Sequence, residues 1–518
     1  MAWEDIVVSS KIVGHVSAGI YRSAGGALKE LVSNAFDANA TRVVVTTNWP
    51  SFDIVTCYDN GAGITLQEFR RVMKGGIGES SKRADTDVTL ELGRPIIGVL
   101  GIGILGIAQV CHEFKVISHH PETSTAFQAI VRLLDYLREK VDDVDIARTD
   151  DKEFEIGQFE VEEIKYDPSQ AGTYIIAADM RSAFVRKFRE SPEVPLPSKF
   201  SSFLDIIHSK RSVKEFGDYW QMVLELATAC PIPYITDQSP FQWDRVKTPP
   251  EFRKKFEGLA QSLRDYQFEV VVDGLSLRKP NSYPHPLVRR DGEPMRGQVF
   301  PIDKEVKVYG RPLKLLGYIY MQNGQAIEPI ELRGLLIRIR NVAVGAYDPT
   351  FLKYPNIEGP RFNWLSGEIY VESGLEHALN IDRDSFNEMH PHFVALQQSV
   401  HSLLQEVFLE AGRGVEERSR VRQKNERDRR LGALRHLLSQ ELGGNYQLVE
   451  TEETQLPLEV DTKYRRVLIN TQSTLWPRAR NKRELAQLVA IAFEISMLVP
   501  ESERRERFYK LLSQLLNL

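Results

Sequence analysis

The stretch KELVSNAFDANAT, residues 29–41, combines an apolar helix face with a stripe of oxygen-bearing side chains. Its leucine, valine, alanine and phenylalanine residues recur at a spacing that predicts an amphipathic helix. Glu30, Asn34 and Asp37 follow one another at i, i+4 and i+7, so they line one side of that helix. A solvated face would usually carry Lys or Arg as well. The stripe therefore indicates a helix that faces a ligand, and a capped or solvated helix is the plainer alternative.

The composition is that of an ordinary globular protein. The chain has 518 residues, 42% of them hydrophobic and 26% charged, which leaves room for roughly two to four domains. A net charge of −5 argues against electrostatic attraction of the whole chain to nucleic acid or membrane. Three widely separated cysteines form neither a disulfide framework nor a metal cluster. We expect a cytoplasmic protein without a signal peptide or membrane span, since the longest apolar run, residues 95–111, is short and rich in glycine.

Helix-like and strand-like segments alternate in the first part of the chain. We predict strands at 42–48, 52–59, 114–119, 125–137, 153–166 and 171–180, and helices at 12–38, 65–73 and 102–112. The first helix is expected to be weakened at Gly25 and Gly26. This order predicts an α+β layer in which helices cover one face of a sheet.

The rest of the chain divides into three predicted parts after a first domain at 1–190. They are a helical connector at 191–260, an α/β domain at 261–412 and a small α/β region at 413–518. We assign the strand-like segment 267–274 to the α/β domain and end its last helix near residue 411. The leucine stripes of the tail are expected to pack internally, with a dimer interface as the alternative.

The segment YDNGAGI, residues 58–64, places a carboxylate at the end of a predicted strand. Asp59 could accept a hydrogen bond from an exocyclic amine such as that of adenine. Gly61 and Gly63 allow a tight turn and a close approach of the backbone to a ligand. A hairpin or Asx turn is the structural alternative, because D-N-G is a common turn sequence.

The segment IIGVLGIGILGIAQV, residues 96–110, is rich in glycine at the predicted entrance of a helix. Gly101, Gly103 and Gly106 form a G-x-G-x-x-G pattern, but the charged loop before it does not fit a Rossmann unit. Together with Gly98, the first two of these glycines can expose backbone N–H groups to phosphate. A glycine-rich loop that packs on a helix is the other interpretation.

These motifs, followed by Gly172 and Thr173 at the start of a late strand, occur in an order that resembles the GHKL ATPase superfamily. That superfamily includes the DNA gyrase B subunit, the ninety-kilodalton heat-shock chaperone, histidine kinases, MutL and MORC proteins. The resemblance covers about residues 1–180 and implies a GHKL (Bergerat) ATP-binding sandwich of mixed sheet and helices, followed by a transducer-like α/β domain. The lid sequence GIGESSK, residues 76–82, is most similar to the heat-shock chaperone branch.

The resemblance implies a role for each motif residue. Glu30 corresponds to the general base that activates water, and Asn34 corresponds to the ligand of Mg²⁺. Asp59 corresponds to the carboxylate that reads adenine, with Gly63 shaping that pocket and Thr173 supporting it.

The same resemblance assigns the phosphates and the ribose. Gly98, Gly101 and Gly103 correspond to the phosphate loop. Lys82 corresponds to a lid residue near the nucleotide, and Asp37 to a helix residue on the adenine and ribose side.

A further motif, LNIDRDSFNE at 379–388, is similar to the middle-domain loop of the chaperone, whose arginine reaches the γ-phosphate. Arg383 is therefore the predicted catalytic arginine, with a surface salt bridge as its alternative. Arg338 and Arg340 are alternates for the same task, and a solvent-facing strand edge is the other interpretation of both.

We expect a Mg²⁺-dependent ATPase that binds ATP and acts as a chaperone-like conformational clamp. Its expected partners are a second copy of the chain, as a homodimer or an ATP-induced dimer, and an unidentified protein client. The alternative is a DNA-associated ATPase like MORC or MutL, in a bacterial defence or repair system. Residues 415–440 hold eight Lys or Arg against four Asp or Glu, but the acidic overall charge does not favour nucleic acid. A histidine kinase and a scaffold that binds ATP without hydrolysis fit less well, the latter because Glu30 is present.

Overall fold

The computed structural model divides the chain into two compact units, Met1–Phe408 and Leu409–Leu518. The described residues are 3–9, 23–74, 89, 92–97, 106–107, 110–121, 123, 125–133, 153–165, 167, 171–190, 194–235, 239–288, 292–322, 324–356, 359–380, 384–442, 447–452, 458–461, 463–472 and 482–516. Among these residues, no helix combines the length and the apolar character that a membrane crossing requires.

The first unit is built from strands and helices in alternation. Its strands are β1 Glu4–Ser9, β2 Arg42–Thr46, β3 Val55–Asp59, β4 Cys111–His119, β5 Thr125–Leu133, β6 Glu153–Lys165, β7 Gly172–Met180, β8 Val246–Lys247, β9 Glu269–Val272, β10 Leu275–Ser276, β11 Gly297–Val308, β12 Arg311–Gln322, β13 Gly334–Ile339, β14 Val342–Asp348 and β15 Leu365–Ser373. Its helices are α1 Ala24–Asp37, α2 Leu66–Met73, α3 Ser182–Arg189, α4 Phe200–His208, α5 Asp218–Ala229, α6 Pro250–Asp265 and α7 Pro391–Leu442, the last of which has residues in both units. Short 3₁₀ turns lie at Val213–Phe216, Ile330–Leu332, Gly359–Trp364 and Glu376–Ala378.

A nine-stranded sheet forms the centre of the first unit, in the order β1-β6-β5-β4-β7-β3-β2-β9-β10. Its strand pairs are antiparallel except β2 and β9, which run parallel. Val43 and Val45 alternate into the core from β2, and Val32 and Phe36 of α1 are buried in the same core. Alternation of period two on the strand and an apolar stripe on the helix explain this packing. The mixed α+β fold predicted from the sequence is confirmed.

Each strand predicted between residues 42 and 180 is present, with ends shifted by a few residues. The predicted helix at 102–112 is wrong at its end, because Cys111 already pairs with Met180 in the ladder between β4 and β7. Residues 106–107 lie in a short 3₁₀ turn, and most of the remaining predicted helix falls outside the described residues.

Helix α1 begins at Ala24 and continues through Gly25 and Gly26, so the two glycines do not weaken its middle. They lie in its first turn. A Cβ atom on Gly25 would lie 2.3 Å from Glu225 Oε2 of α5, so this glycine permits the close approach of the two helices. Residues 12–22 of the predicted helix lie outside the described residues.

A second sheet has the order β14-β13-β15-β12-β11-β8. The assignment of residues 267–274 to this α/β domain is wrong, because β9 is a strand of the nine-stranded sheet. Val43 pairs with Val270 and Val45 with Val272, and all four side chains are fully buried. Burial of valine on both strands favours this parallel pairing.

Helix α7 continues to Leu442 instead of ending near residue 411. Gly412 and Gly414 each cost about 1 kcal/mol in a helix interior, and the Arg-, Gln- and Leu-rich sequence that follows favours helix. The second unit also contains β16 Gln447–Thr451, β17 Leu458–Asp461, β18 Arg466–Asn470, α8 Lys482–Ser496 and α9 Arg504–Leu516. Its sheet order is β16-β18-β17. Leucine and isoleucine side chains of α8 and α9 are buried in its core, as expected of stripes that pack internally.

Candidate functional site

Helix α1 carries the polar stripe that the sequence singled out. Its first turn is capped by Ser23, whose hydroxyl accepts a hydrogen bond of 3.1 Å from the Gly26 N–H. Glu30 and Asp37 are buried, with 6% and 7% of their surface exposed, whereas Asn34 is half-buried. Among the described residues the Asn34 side-chain amide has no hydrogen-bond partner, so its oxygen is open to a ligand.

The turn after β3 is held against the end of α1. The Asp59 carboxylate accepts a hydrogen bond of 2.9 Å from the Gly61 N–H, and the Ala62 N–H donates to the Ala38 carbonyl over 2.8 Å. The Asn60 side chain accepts from two backbone N–H groups at the start of β2. The D-N-G sequence thus forms a turn that fixes the Asp59 carboxylate at the edge of the helix.

Strand pairing brings the predicted adenine-pocket residues together. Asp59 of β3 and Ser118 of β4 both lie opposite Thr173 of β7. A Cβ atom on Gly172, whose φ is +113°, would lie 2.0 Å from the Asp59 carbonyl oxygen. A Cβ atom on Gly63, at φ +74°, would lie 2.9 Å from Ser118 Oγ. Both glycines are therefore required by close approach as well as by backbone conformation.

Ser118 connects the predicted adenine-pocket residues, and the sequence did not reveal it. Its hydroxyl is 1% exposed, accepts a hydrogen bond of 2.8 Å from the Ile64 N–H and lies 3.4 Å from the Thr173 hydroxyl. One hydroxyl thereby links the turn after β3 to β7. A serine inside an alternating strand gives no sequence signal for this contact.

Asp37 holds the segment that leads into the glycine series. Its carboxylate accepts a hydrogen bond of 2.7 Å from the Ile97 N–H, one residue before Gly98. This contact gives Asp37 a positioning role that the sequence did not assign.

Arg94 is a second residue that the sequence did not single out. Its guanidinium is fully buried, donates to the Ala40 carbonyl over 2.6 Å and to the Tyr266 carbonyl, and lies 4.8 Å from the centre of the Phe36 ring. Burial lowers its pKa to about 10. Arg94 therefore ties the segment before the glycine series to the end of α1 and to the segment after α6.

Two contacts join the α1 side of the first sheet to the loop and hairpin of the second sheet. Lys29 Nζ lies 2.5 Å from Asp384 Oδ1, with 6% and 18% of the two side chains exposed. The Arg340 guanidinium, at the turn between β13 and β14, donates to the Ile96 carbonyl. Residues far apart in the chain thus meet beside Glu30.

A small cavity lies at this junction. Its volume is about 20 Å³, and it is lined from one side by Lys29, Glu30 and Ser33 and from the other by residues of β13, β14 and the turn at Arg340. Most of its remaining lining residues are apolar, and a cavity of this volume has room for about one water molecule. Glu30 therefore lines a space of about the size of one water molecule.

Arg338 does not lie at a solvent-facing edge, so that interpretation is wrong. Its side chain is fully buried and donates from Nε to Glu368 Oε1 over 3.0 Å, while the Tyr234 hydroxyl donates to Glu368 Oε2 over 2.5 Å. Burial favours the neutral acid, but the charges of Arg338 and Lys279 outweigh it and hold the pKa of Glu368 below its usual value. Because its guanidinium serves this buried pair, Arg338 is not available for phosphate.

Five of the residues predicted from the sequence lie outside the described residues. They are Lys82, Gly98, Gly101, Gly103 and Arg383. The structure does describe two adjacent residues. Ile97 precedes Gly98, and Asp384 follows Arg383.

Comparison with known proteins gives a match for the first domain. Residues 21–173 match the family described as Histidine kinase-, DNA gyrase B-, and HSP90-like ATPase. The chain is 33% identical over 105 residues to the DNA mismatch repair protein MutL of Crocosphaera subtropica, a match that covers 20% of this chain. It is 30% identical over 115 residues to a candidate type II restriction enzyme, HgiDII, of Herpetosiphon aurantiacus, a match that covers 22% of this chain. Each match spans 18% of the length of that relative.

A crystal structure of the N-terminal domain of a DNA repair protein overlaps 77% of this chain and 98% of that chain, with 12% identity and a TM-score of 0.39. The assignment of the first domain rests on the family match and on the mixed sheet and helices that carry the motif residues. On this basis, residues 21–173 are similar to the ATPase domain of this family.

Proposed function

We propose that the chain is a Mg²⁺-dependent ATPase that works as an ATP-driven conformational clamp. Adenine would bind where β3 and β7 meet, with the Asp59 carboxylate accepting from its exocyclic amine. Gly61 and Gly63 bring the backbone close to the base, and Thr173 lies opposite Asp59 in the ladder. The contact between Ser118 and the turn after β3 supports this pocket.

The phosphates would lie along the glycine series, with Lys82 contributing from the lid. The hydrogen bond from the Ile97 N–H to Asp37 supports this placement, since it fixes the backbone just before Gly98, Gly101 and Gly103. Backbone N–H groups of such a series can hold phosphate oxygens.

The donor set at α1 fits a magnesium ion that shares its ligands with a nucleotide. Within the described ranges, no group of three or more His, Cys, Asp and Glu side chains could hold a metal ion. Mg²⁺ bound with nucleotides commonly takes one or two protein oxygens and completes its shell with phosphate and water. The half-buried Asn34 oxygen fits that pattern. The ion would neutralise charge that develops on the phosphate oxygens.

Hydrolysis would depend on Glu30 as the general base. Glu30 is buried, lies one helical turn from Asn34 and lines the water-sized cavity. From that position it can accept the proton of an attacking water molecule.

The observation that carries the clamp proposal is the ion pair between Lys29 and Asp384. It joins the helix of the proposed nucleotide site to the loop of Arg383, over 355 residues of sequence. Arg383 immediately precedes Asp384, so this contact would bring the Arg383 guanidinium towards the transferred phosphate. Coupling of that approach to closure of the lid would make hydrolysis wait for a conformational step.

A Glu30→Ala variant tests the proposal. We expect it to bind ATP as the wild type does and to lose hydrolysis, because the base is removed and the adenine pocket is untouched. An Asp59→Ala variant should instead lose ATP binding. A Glu30→Ala protein that hydrolyses ATP at the wild-type rate would refute the assigned base.

A DNA-associated role is the second candidate, and it is favoured over a chaperone-like one. The two curated relatives are named as a DNA mismatch repair protein and a candidate restriction enzyme. A second copy of the chain remains part of the proposal as a partner of the clamp, whereas the unidentified protein client belongs to the chaperone-like role. Stimulation of ATP hydrolysis by DNA, lost at high salt, would separate the two roles.

A further inference from the structure

The hairpin of β11 and β12 extends beyond the sheet that it belongs to. Among the described residues, β12 pairs with β15 from Lys314 to Met321, and β11 pairs with β8 at Gly297 and Gln298. Residues 306–313 therefore form a two-stranded ribbon without a neighbouring strand, because Val306 lies opposite Leu313, the last residue before β12 pairs with β15. Three residues of strand correspond to about 10 Å, so the turn projects past the edge of the sheet.

The turn of this hairpin has a residue that its backbone does not favour. Tyr309 and Gly310 have φ values of 47° and 80°, and Val308 pairs with Arg311, which defines a two-residue loop of the I′ type. The first position of such a loop prefers Asn, Asp or Gly. Tyr309 is also 89% exposed, so its ring contributes no packing. A bulky residue that suits neither the backbone conformation of the turn nor any packing contact indicates a function for the ring.

The projecting end carries an excess of positive charge. Lys307 and Arg311 of the ribbon and Lys304 at its base are exposed, and none of them has an ion-pair partner within the described part of the chain. The two carboxylates at the base of the ribbon are already paired, since Asp303 pairs with a lysine of α6 and Glu305 with a lysine of β12.

The free cations lie on both faces of the ribbon. Arg311 pairs with Val308 and Lys307 pairs with Pro312, and cross-strand partners share a face. Because successive residues of a strand point to opposite faces, Lys307 and Arg311 lie on opposite sides of the hairpin, with Tyr309 at its end.

We propose that the tip of the β11–β12 hairpin binds duplex DNA by entering its major groove. That groove admits a two-stranded β-ribbon and is bounded on both sides by phosphates. Lys307 and Arg311 would each face one phosphate wall, and the Tyr309 ring would contact the bases. The presence of cations on both faces favours a duplex over a single strand. This inference concerns a surface outside the nucleotide pocket and stands without the ATPase proposal.

Fluorescence anisotropy with the full chain and a labelled mixed-sequence duplex tests this surface, over about 50 to 200 mM salt. Each lost phosphate contact should reduce the slope of log affinity against log salt by about 0.9, so Lys307→Ala/Arg311→Ala should reduce it by about 1.8. Arg186→Ala/Lys187→Ala on α3 removes the same charge from exposed side chains elsewhere and should leave the slope unchanged.

Tyr309→Asn is the sharper variant, because Asn-Gly suits the I′ loop better than Tyr-Gly does and the hairpin should be retained. We expect its affinity for the duplex to fall by about tenfold, the order expected for loss of an aromatic contact to bases. ATP binding should be unchanged in every hairpin variant, which separates failure of this proposal from failure of the ATPase proposal. Absence of duplex binding by the wild type, stronger binding of a single strand, or equal affinity of Tyr309→Asn and wild type would overturn it.

Discussion

Replacing Asp384 with asparagine tests how the Arg383 loop is held against α1. Lys29 Nζ and Asp384 Oδ1 are 2.5 Å apart, and both side chains are largely buried. The variant leaves the Lys29 ammonium without this counter-charge. Breaking a buried ion pair by removing one partner costs about 3–5 kcal/mol, and the partial exposure of Asp384 places the expected cost near the lower limit, about 3 kcal/mol.

That cost should appear in catalysis. A loss of about 3 kcal/mol lowers the population of the docked loop by roughly a hundredfold if docking is otherwise close to balanced. We therefore expect kcat for ATP to fall by up to about a hundredfold in Asp384→Asn, while the affinity for a non-hydrolysable ATP analogue changes little. Phosphate release at saturating ATP and Mg²⁺ measures the first quantity, and calorimetric titration measures the second.

Glu388→Gln is the matched control. It breaks the ion pair between Glu388 and Lys353, in which 55% and 67% of the side chains are exposed. Exposed pairs contribute about 0–1 kcal/mol, so this variant should keep the wild-type kcat. A catalytic role for the ion pair between Lys29 and Asp384 is refuted if Asp384→Asn is folded and hydrolyses ATP at the wild-type rate. It is also refuted if the control variant loses as much activity.

Three further predictions concern the pocket and the core. Gly172→Ala should lower the free energy of unfolding by at least about 2 kcal/mol in urea titrations, because its Cβ would collide with the Asp59 carbonyl. Gly258 is an open position in α6, so Gly258→Ala should raise the free energy of unfolding by about 0.5–1 kcal/mol. Ser118→Ala should weaken ATP binding about fivefold in calorimetry, since the loss of a buried hydrogen bond costs about 1 kcal/mol. The pKa of Glu368 is held below 4.5, so the charged carboxylate contributes stability above pH 4.5. This contribution is lost as the pH falls through the lowered pKa of Glu368. Glu368→Gln should therefore be less stable than wild type and show a flatter fall of unfolding free energy from about pH 5 to pH 3.

The strands and the helix α1 could be predicted because their signals are local. Alternating valines marked β2, and the apolar stripe of residues 29–41 marked α1. The partner of β9 could not be predicted in the same way. Its valines fit any buried parallel position, and the choice of β2 as neighbour depends on contacts more than two hundred residues apart.

The site residues also divide into those with a local sequence signal and those without one. Asp59, Gly63 and Thr173 were predicted from short motifs, and strand pairing sets Asp59 opposite Thr173. Ser118 and Arg94 were missed because each works through backbone atoms of distant segments, which leave no pattern around either residue. Arg338 and Arg340 look alike in the sequence. The strand register buries the first with Glu368 and places the second in a turn that contacts Ile96.

The mass and shape of the full chain in solution, with and without a non-hydrolysable ATP analogue and Mg²⁺, test the clamp most directly. We expect the analogue to convert the chain to a more compact or dimeric species, and we expect no conversion in Asp59→Ala, which lacks the carboxylate proposed to bind adenine. Binding of the analogue without any change of mass or shape would contradict the clamp.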